Sequence, residues 1–189
     1  MWWDVDKSES KSEYLARVKY DEIVSKSASS FMDIVGSDLP ANVQYRIVTN
    51  QGFNAITVIE YLCDKYELTD IYVAVYRMNL RAVNKLKTLL NNSDISCKII
   101  LSSFFRENKK YERWCSDLIS YANGCERATV SFAWNHAKVF LAKTRCGKHI
   151  VFEGSGNLSD NARIEQYLIE DNETTYLFHK AWIEQILND

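Results

Sequence analysis

The chain has 189 residues, of which 47% are hydrophobic and 25% charged, with one proline and six glycines. This composition excludes a disordered, fibrous or low-complexity chain, and the length fits one domain with room for a terminal arm. The net charge is −2, yet residues 77–148 hold 14 Lys and Arg against 5 Asp and Glu. The fold can therefore present a basic face to a polyanion, or scatter these charges over a solvated surface.

Two further features bound the class of protein. No apolar run approaches the roughly 20 residues that a membrane-spanning helix needs, and the first residues, MWWDVDKSES, carry acids where a signal peptide carries a basic end. We therefore expect a cytoplasmic protein without a membrane partner. The five cysteines are widely spaced and form no C-x-x-C pair, which predicts reduced thiols and indicates neither a disulfide framework nor a structural zinc site.

The first part of the chain predicts an arm followed by alternating strands and helices. Residues 1–30 are polar and predict an N-terminal arm or helix, with a single domain over 31–189. Strands are expected at 45–49, 71–76 and 97–104, and helices after Gly52, from the N-cap Asn79, and around Tyr111 to Ile119. The continuous apolar run of 71–76 predicts a strand buried on both faces.

From residue 128 the pattern changes to closely spaced strands. They are expected at 129–133, 136–143, 149–152 and 164–169, with a turn at 144–147 between the middle pair. The apolar spacing of the last segment predicts a helix that buries Leu177, Phe178, Ala181, Trp182 and Ile186. These elements together predict the α/β class, a mixed β-sheet flanked by helices.

The residues that carry chemistry lie in this second part. With His136 and Lys138 on one strand, alternation places an imidazole and an ammonium on the same face, an unfavourable pair to bury unless an anion lies between them. The return strand leads into Gly154-Ser-Gly-Asn157, whose Ser155 and Asn157 can donate hydrogen bonds to a phosphate. Neutral imidazole can attack phosphorus, and Glu165 can fix its tautomer. His149 and His179 have no such set of polar residues around them in the sequence and are predicted to be structural.

H-x-K followed by G-S-x-N and a glutamate resembles the phospholipase D superfamily, the HKD phosphodiesterases, and in particular its single-motif nuclease-like branch. The specific match covers 136–166, and the earlier strand–helix units are compatible with a phospholipase D-like domain. The resemblance implies metal-independent phosphodiester chemistry through a phosphohistidine, without a cofactor. By position, His136 is the nucleophile or acid, Lys138 and Asn157 bind phosphate, Ser155 supports that site, and Glu165 orients the histidine.

Two departures from the family pattern qualify what the resemblance implies. The fuller motif has an aspartate five residues after the lysine, where this chain has Lys143. Some nuclease branches also lack that aspartate, so the replacement argues more against lipid substrates than against nucleic acid. The chain also holds a single H-x-K, whereas the active site needs two, which implies a homodimer with the site on its two-fold axis.

Three functions follow, in order of preference. The first is a nuclease that cleaves DNA or RNA at a homodimer interface. The second is a catalytically inactive HKD-fold module that binds nucleic acid or serves a structural role, a possibility that Lys143 keeps open. The third is a phospholipase or phosphatidyltransferase.

Overall fold

The computed structural model describes residues 18–20, 22–27, 38–50, 55–159 and 164–188, together with positions 31 and 36. Most of the predicted N-terminal arm and the predicted turn after position 50 lie outside the described residues. The described strands are β1 (Glu22–Ser27), β2 (Val43–Asn50), β3 (Leu68–Val75), β4 (Ser96–Ser102), β5 (Ala128–Ala133), β6 (Lys138–Thr144), β7 (His149–Gly154) and β8 (Ile164–Asp171). The described helices are α1 (Ala55–Lys65), α2 (Leu80–Asn91), α3 (Ser103–Glu107), α4 (Glu112–Asn123) and α5 (Glu173–Asn188).

All eight described strands form one mixed sheet in the order β1-β2-β8-β7-β6-β3-β4-β5. Strands β3, β4 and β5 run parallel, whereas β6, β7 and β8 pair antiparallel with their neighbours. Helices cover both faces, so the predicted α/β architecture of a mixed sheet flanked by helices is confirmed.

The alternation of side chains along β3 explains the three layers. Ile71, Val73 and Val75 point into the larger core, which α1, α2 and α4 cover, whereas Tyr72 and Ala74 point into a smaller core under α5. A strand buried on both faces reads as a continuous apolar run because successive side chains enter different cores. The sequence prediction for this strand is confirmed.

The sheet contains one strand that the sequence did not indicate. Residues 22–27, within the segment predicted as arm or helix, form the edge strand β1 and pair parallel with β2. Its sequence, EIVSKS, has too few apolar residues to produce a strand signal. Polar residues are common on edge strands because such strands need not bury both faces.

The face that the last helix buries also differs from the prediction. The buried residues of α5 are Tyr176, His179 and Ile183, while Leu177, predicted to be buried, is 50% exposed. A histidine can take a core position here because the Trp182 indole donates to its Nδ1 at 3.2 Å. Its Nε2 also lies 3.3 Å from a Glu153 carboxylate oxygen. His179 is thus a satisfied structural histidine, as predicted.

The segments that carry the candidate site residues lie together at one edge of the sheet, the edge formed by the ends of the strands. Because β6 is antiparallel to β3, its first residue, Lys138, lies opposite Val75, the last residue of β3. Strand β7 ends, and β8 begins, at this same edge. The loops that follow β3, β4, β5 and β7 therefore meet there.

Candidate active site

His136 lies in the loop that joins β5 to β6, and its ring is exposed. The sequence pattern predicted that His136 lies inside the strand, but β6 begins two residues later, at Lys138. The side chain of Asn135 fixes this loop: its Nδ2 donates to the carbonyl of Val75 at 3.2 Å, and its Oδ1 accepts from the amide of Ala137 at 2.8 Å. Such a local side-chain turn holds the backbone out of the strand ladder.

The imidazole and the ammonium nevertheless meet as the sequence predicted. Lys138 Nζ lies 2.8 Å from His136 Nδ1 and donates to the His136 carbonyl at 2.7 Å. Burial lowers the pKa of Lys138 from its ordinary value, and the negative charge of Glu165 partly opposes this change. The site thus holds a half-buried cation whose charge a bound anion would stabilise.

The loop after β7 is shaped by contact between strands. A Cβ atom at Gly154 would overlap the carbonyl oxygen of Gln166 and approach Cδ1 of Tyr167 to 2.5 Å. The close approach of β8 therefore requires a glycine at this position. The Ser155 hydroxyl accepts from the amide of Gln166 at 3.1 Å and donates to the carboxylate of Glu165.

Asn157 is held by the segment that follows β3. Its Oδ1 accepts from the amide of Arg77 at 3.3 Å, and the amide of Asn79 donates to the carbonyl of Leu158 at 3.0 Å. With Oδ1 engaged in this way, the side-chain NH₂ is the group that Asn157 can offer to a phosphate.

Four of the five predicted residues therefore come together in two contacting pairs, whereas the contact of Asn157 is with Arg77. His136 contacts Lys138, Ser155 contacts Glu165, and the charges of Lys138 and Glu165 interact. The predicted orienting role of Glu165 has no direct counterpart among the described contacts, because its carboxylate accepts from Ser155 while the His136 ring has Lys138 as its hydrogen-bond partner.

Two positioning residues were missed by sequence reasoning. The Tyr76 ring lies with its centroid 5.0 Å from that of His136, and Lys138 Nζ is 6.0 Å from the same ring. Asn135 carried a usable signal, since asparagine commonly makes local turns before a change of backbone direction. Tyr76 carried none, because it reads as the end of an apolar strand.

A cleft of about 810 Å³ adjoins Lys138. Its lining includes the polar residues Arg46, Lys138, Glu153 and Gln166 and the apolar residues Val139 and Leu168. Among the described residues, no group of three or more His, Cys, Asp or Glu side chains is placed to share a metal ion. None of the described helices is both long and apolar enough to cross a membrane.

Comparison with solved structures identifies the fold. The chain is similar to NucT from Helicobacter pylori, with 20% identity and a TM-score of 0.55 over 77% of this chain and 96% of that one. It is also similar to Nuc from Salmonella typhimurium, a phospholipase D family member, with 16% identity and a TM-score of 0.56 over 77% and 93% of the two chains. TrmBL2, an archaeal chromatin protein with a novel mode of DNA binding, matches at 12% identity and a TM-score of 0.52 over 74% and 50%.

These likenesses confirm the predicted phospholipase D-like fold. No protein-family model matches the chain, and no curated protein matches it in sequence. At such low identities the likeness concerns the fold, and the function has to be argued from the residues of the site.

Proposed function

We propose that this phospholipase D-like domain is a phosphodiesterase that cleaves nucleic acid, DNA or RNA, through a phosphohistidine formed on His136. The observation that carries the proposal is the exposed His136 ring with the Lys138 ammonium 2.8 Å from its Nδ1. A nucleophile beside a cation, both at the edge where loops of the sheet meet, is the arrangement that attack on a phosphodiester needs.

The phosphate would bind between Lys138 and Asn157. Lys138 supplies a positive charge that is disfavoured by burial until an anion arrives, and Asn157 supplies a side-chain amide donor. Ser155, in the loop after β7, and Glu165, on β8, support this site, and the Glu165 carboxylate lies close enough to Lys138 for their charges to interact.

The contact between Lys138 and His136 has a consequence for the tautomer. If the ammonium donates to Nδ1, the ring proton of a neutral imidazole lies on Nε2, and that nitrogen then has no lone pair for attack. Attack on phosphorus needs the opposite tautomer, with the lone pair on Nε2. We infer that a bound phosphate draws Lys138 away from Nδ1, so that Nδ1 can carry the ring proton and Nε2 has the lone pair for attack.

The reaction then proceeds in two balanced steps. Nε2 of one His136 forms a bond to phosphorus while the bond to the leaving oxygen breaks, and that oxygen takes a proton from a second histidine in its imidazolium form. Water then attacks the phosphohistidine, gives its proton to the second imidazole, and the P–N bond breaks. Since the chain has one H-x-K, we propose that the second imidazole is His136 of another copy in a homodimer.

An inactive nucleic-acid-binding module is the alternative, and one observation favours it. Glu165 accepts a hydrogen bond from Ser155 and not from the His136 ring. The imidazole therefore lacks the carboxylate that would hold its proton on Nδ1 and leave Nε2 free to attack. Lys143, in contrast, argues little for inactivity. It lies five residues along β6 from Lys138, about 16 Å away at the usual strand rise, too far to act on a phosphate at His136.

Turnover of a labelled oligonucleotide in EDTA tests the proposal. We expect wild-type protein to cleave it and His136→Ala to lose at least about a thousandfold in rate. His149→Ala, which removes a histidine outside the site, should keep the rate. Rapid denaturation during turnover should trap the label covalently on wild type and not on His136→Ala.

Three other outcomes would contradict the proposal. Binding without turnover in both proteins indicates the inactive module. Turnover that requires a metal ion would exclude the proposed metal-independent mechanism through a phosphohistidine. Hydrolysis of vesicle phospholipid with DNA and RNA untouched indicates the lipid-acting class.

A further inference from the structure

Large aromatic side chains lie near His136 in the fold or the sequence, and two of them are exposed to solvent. Trp134, two residues before the histidine, is 78% exposed, and Phe104, which follows β4, is 48% exposed. We name Tyr76, Phe104, Phe132 and Trp134 the aromatic rim. Exposed rings of this size lose favourable burial in the isolated chain, so their concentration beside a reactive group indicates a ligand with flat apolar faces.

Two rings of the rim, Phe104 and Tyr76, form a continuous path to the histidine. The Phe104 ring stacks on Tyr76 with centroids 6.0 Å apart and planes 23° from parallel. Tyr76 in turn lies 5.0 Å from the His136 ring. A chain that enters the site over Phe104 would therefore pass from one ring to the next before its phosphate reaches the imidazole.

Cations accompany these rings. The Arg106 guanidinium lies 5.2 Å from the centroid of Phe132, and Arg77 donates to the Tyr111 hydroxyl at 3.4 Å. Both arginines are exposed, as are Lys109 and Lys110 in the following loop. Within the described part of the chain, none of these four side chains forms an ion pair.

Several cations elsewhere on the molecule form ion pairs. Lys85 pairs with Glu60, Lys87 with Asp117, Lys98 with Glu184, and Arg145 with Glu67. The basic charge beside the rim is therefore left for another anion, and a backbone of phosphates carries such charge at regular spacing.

We propose that the aromatic rim stacks unpaired bases, so that the substrate of this site is single-stranded nucleic acid or an unpaired segment of a longer one. This inference rests on the proposed function and names its substrate class. A duplex keeps its bases stacked on each other and offers no free face to Trp134 or Phe104. A single strand offers both its phosphates, to the arginines and lysines, and its bases, to the rings.

Binding to His136→Ala protein, which cannot turn substrate over, measures the stacking directly. The probes are a fluorescent oligothymidylate, an abasic oligomer with the same number of phosphates, and a duplex of equal length. We expect the oligothymidylate to bind about tenfold to a hundredfold more tightly than the abasic oligomer, which has the charge but not the bases. The duplex should bind more weakly than the single strand.

Variants in this background locate the effect. Trp134→Ala and Phe104→Ala should each weaken binding of oligothymidylate by about tenfold and leave binding of the abasic oligomer unchanged. The matched control is Leu177→Ala, which removes an exposed apolar side chain on α5. Arg106→Gln should weaken both single-stranded probes and lower the salt dependence, whereas Arg145→Gln, at the opposite edge of the sheet, should not.

The outcomes separate this inference from the proposed function. Cleavage with equal binding of the abasic and base-bearing oligomers, or with tighter binding of duplex, overturns the rim's role and leaves the nuclease standing. Base-dependent binding that needs Trp134, without turnover by wild type, overturns the nuclease and leaves the rim standing. A change of oligomeric state in Trp134→Ala with oligonucleotide binding unchanged shows that a second copy of the chain covers this ring, and also overturns the inference.

Discussion

Two requirements on Lys138 oppose each other: its partial burial in the fold disfavours a charge, whereas binding of an anion needs that charge. Its side chain is half-buried at the start of β6, and burial lowers its pKa, while Glu165 supplies only partial compensation. The charged form therefore costs free energy in the folded protein until an anion binds. Binding sites commonly contain such residues, because the group that a ligand needs is not the group that the empty fold prefers.

Substitution of Lys138 by methionine separates these requirements. We expect phosphodiesterase activity to fall by about a hundredfold or more, because a donor to the phosphate is lost. The free energy of unfolding at pH 7 should not fall, because methionine carries no charge to bury. Chemical denaturation of both proteins measures the second effect, with Lys143→Met, an exposed position on the same strand, as control.

The pH dependence of that comparison has a definite sign. The folded-state pKa of Lys138 lies below the unfolded value, so between the two values the unfolded chain binds more protons and wild-type stability rises with pH. The advantage of Lys138→Met should therefore be full below the folded pKa and shrink as the pH rises toward the ordinary lysine value of about 10.4. An advantage that stays constant from pH 7 to 10 would show that burial of the charge is not its cause.

Residue spacing predicted the pair of His136 and Lys138 for a reason that was partly wrong. The prediction assumed strand alternation through both residues, but Asn135 holds His136 in a loop, and the lysine reaches back to it. A flexible four-carbon side chain tolerates that difference, which explains why the lysine still meets the histidine. The Glu165 carboxylate contacts Ser155 instead.

At the scale of elements, the approach of β7 to β8 sets the position of Ser155. Gly154 lies opposite Tyr167 in the ladder, and the amide of Ser155 donates to the carbonyl of Gln166 at 3.0 Å immediately beyond it. Any side chain at 154 would force the two strands apart. The hydrogen bond from Ser155 to Glu165 depends on that spacing.

Gly154→Ala should therefore destabilise the fold and impair the site together. We expect a loss of about 1–3 kcal/mol in the free energy of unfolding, the usual cost of overpacking, with a fall in activity among molecules that remain folded. Gly124→Ala is the control, because a Cβ there meets its nearest neighbour, the Tyr121 carbonyl oxygen, at an ordinary 3.7 Å. Equal unfolding free energies for the two variants would contradict this account.

Elements with strong internal patterns could be predicted from sequence. Strand β3 has its apolar run, α2 has Asn79, whose side chain accepts from the amide of Ala82 at 2.9 Å, and the hairpin of β6 and β7 has Gly147 at a φ of +93°. The sequence pattern gave wrong predictions where the position of a segment in the fold, and not its composition, decides its secondary structure. Strand β1 is polar because it lies at an edge, and the chain turns into α3 at Ser103, where apolar residues continue beyond the end of β4.

At the scale of the whole molecule, each chain has one H-x-K motif, whereas the proposed reaction needs two imidazoles. The basic residues, the aromatic rim and His136 all lie at a single edge of the sheet, so two copies related by a two-fold axis through that edge would bring their histidines together. Both His136 rings should then lie within about 3–6 Å of a shared phosphate-sized pocket. Neither copy would need to change its own fold.

Mixed dimers of wild-type and His136→Ala chains test this arrangement. If each site needs both histidines, random reassortment at equal amounts leaves active only the dimers of two wild-type chains, about a quarter of the total. If each chain acts alone, the mixture keeps about half of the activity of the same total amount of wild-type protein. Differently tagged chains allow exchange to be verified by capture of one tag and detection of the other, and mixing two tagged wild-type preparations provides the control. Half-activity in fully exchanged mixtures, or a monomer in solution that still cleaves, would confine the chemistry to one subunit and require a proton donor other than a second His136.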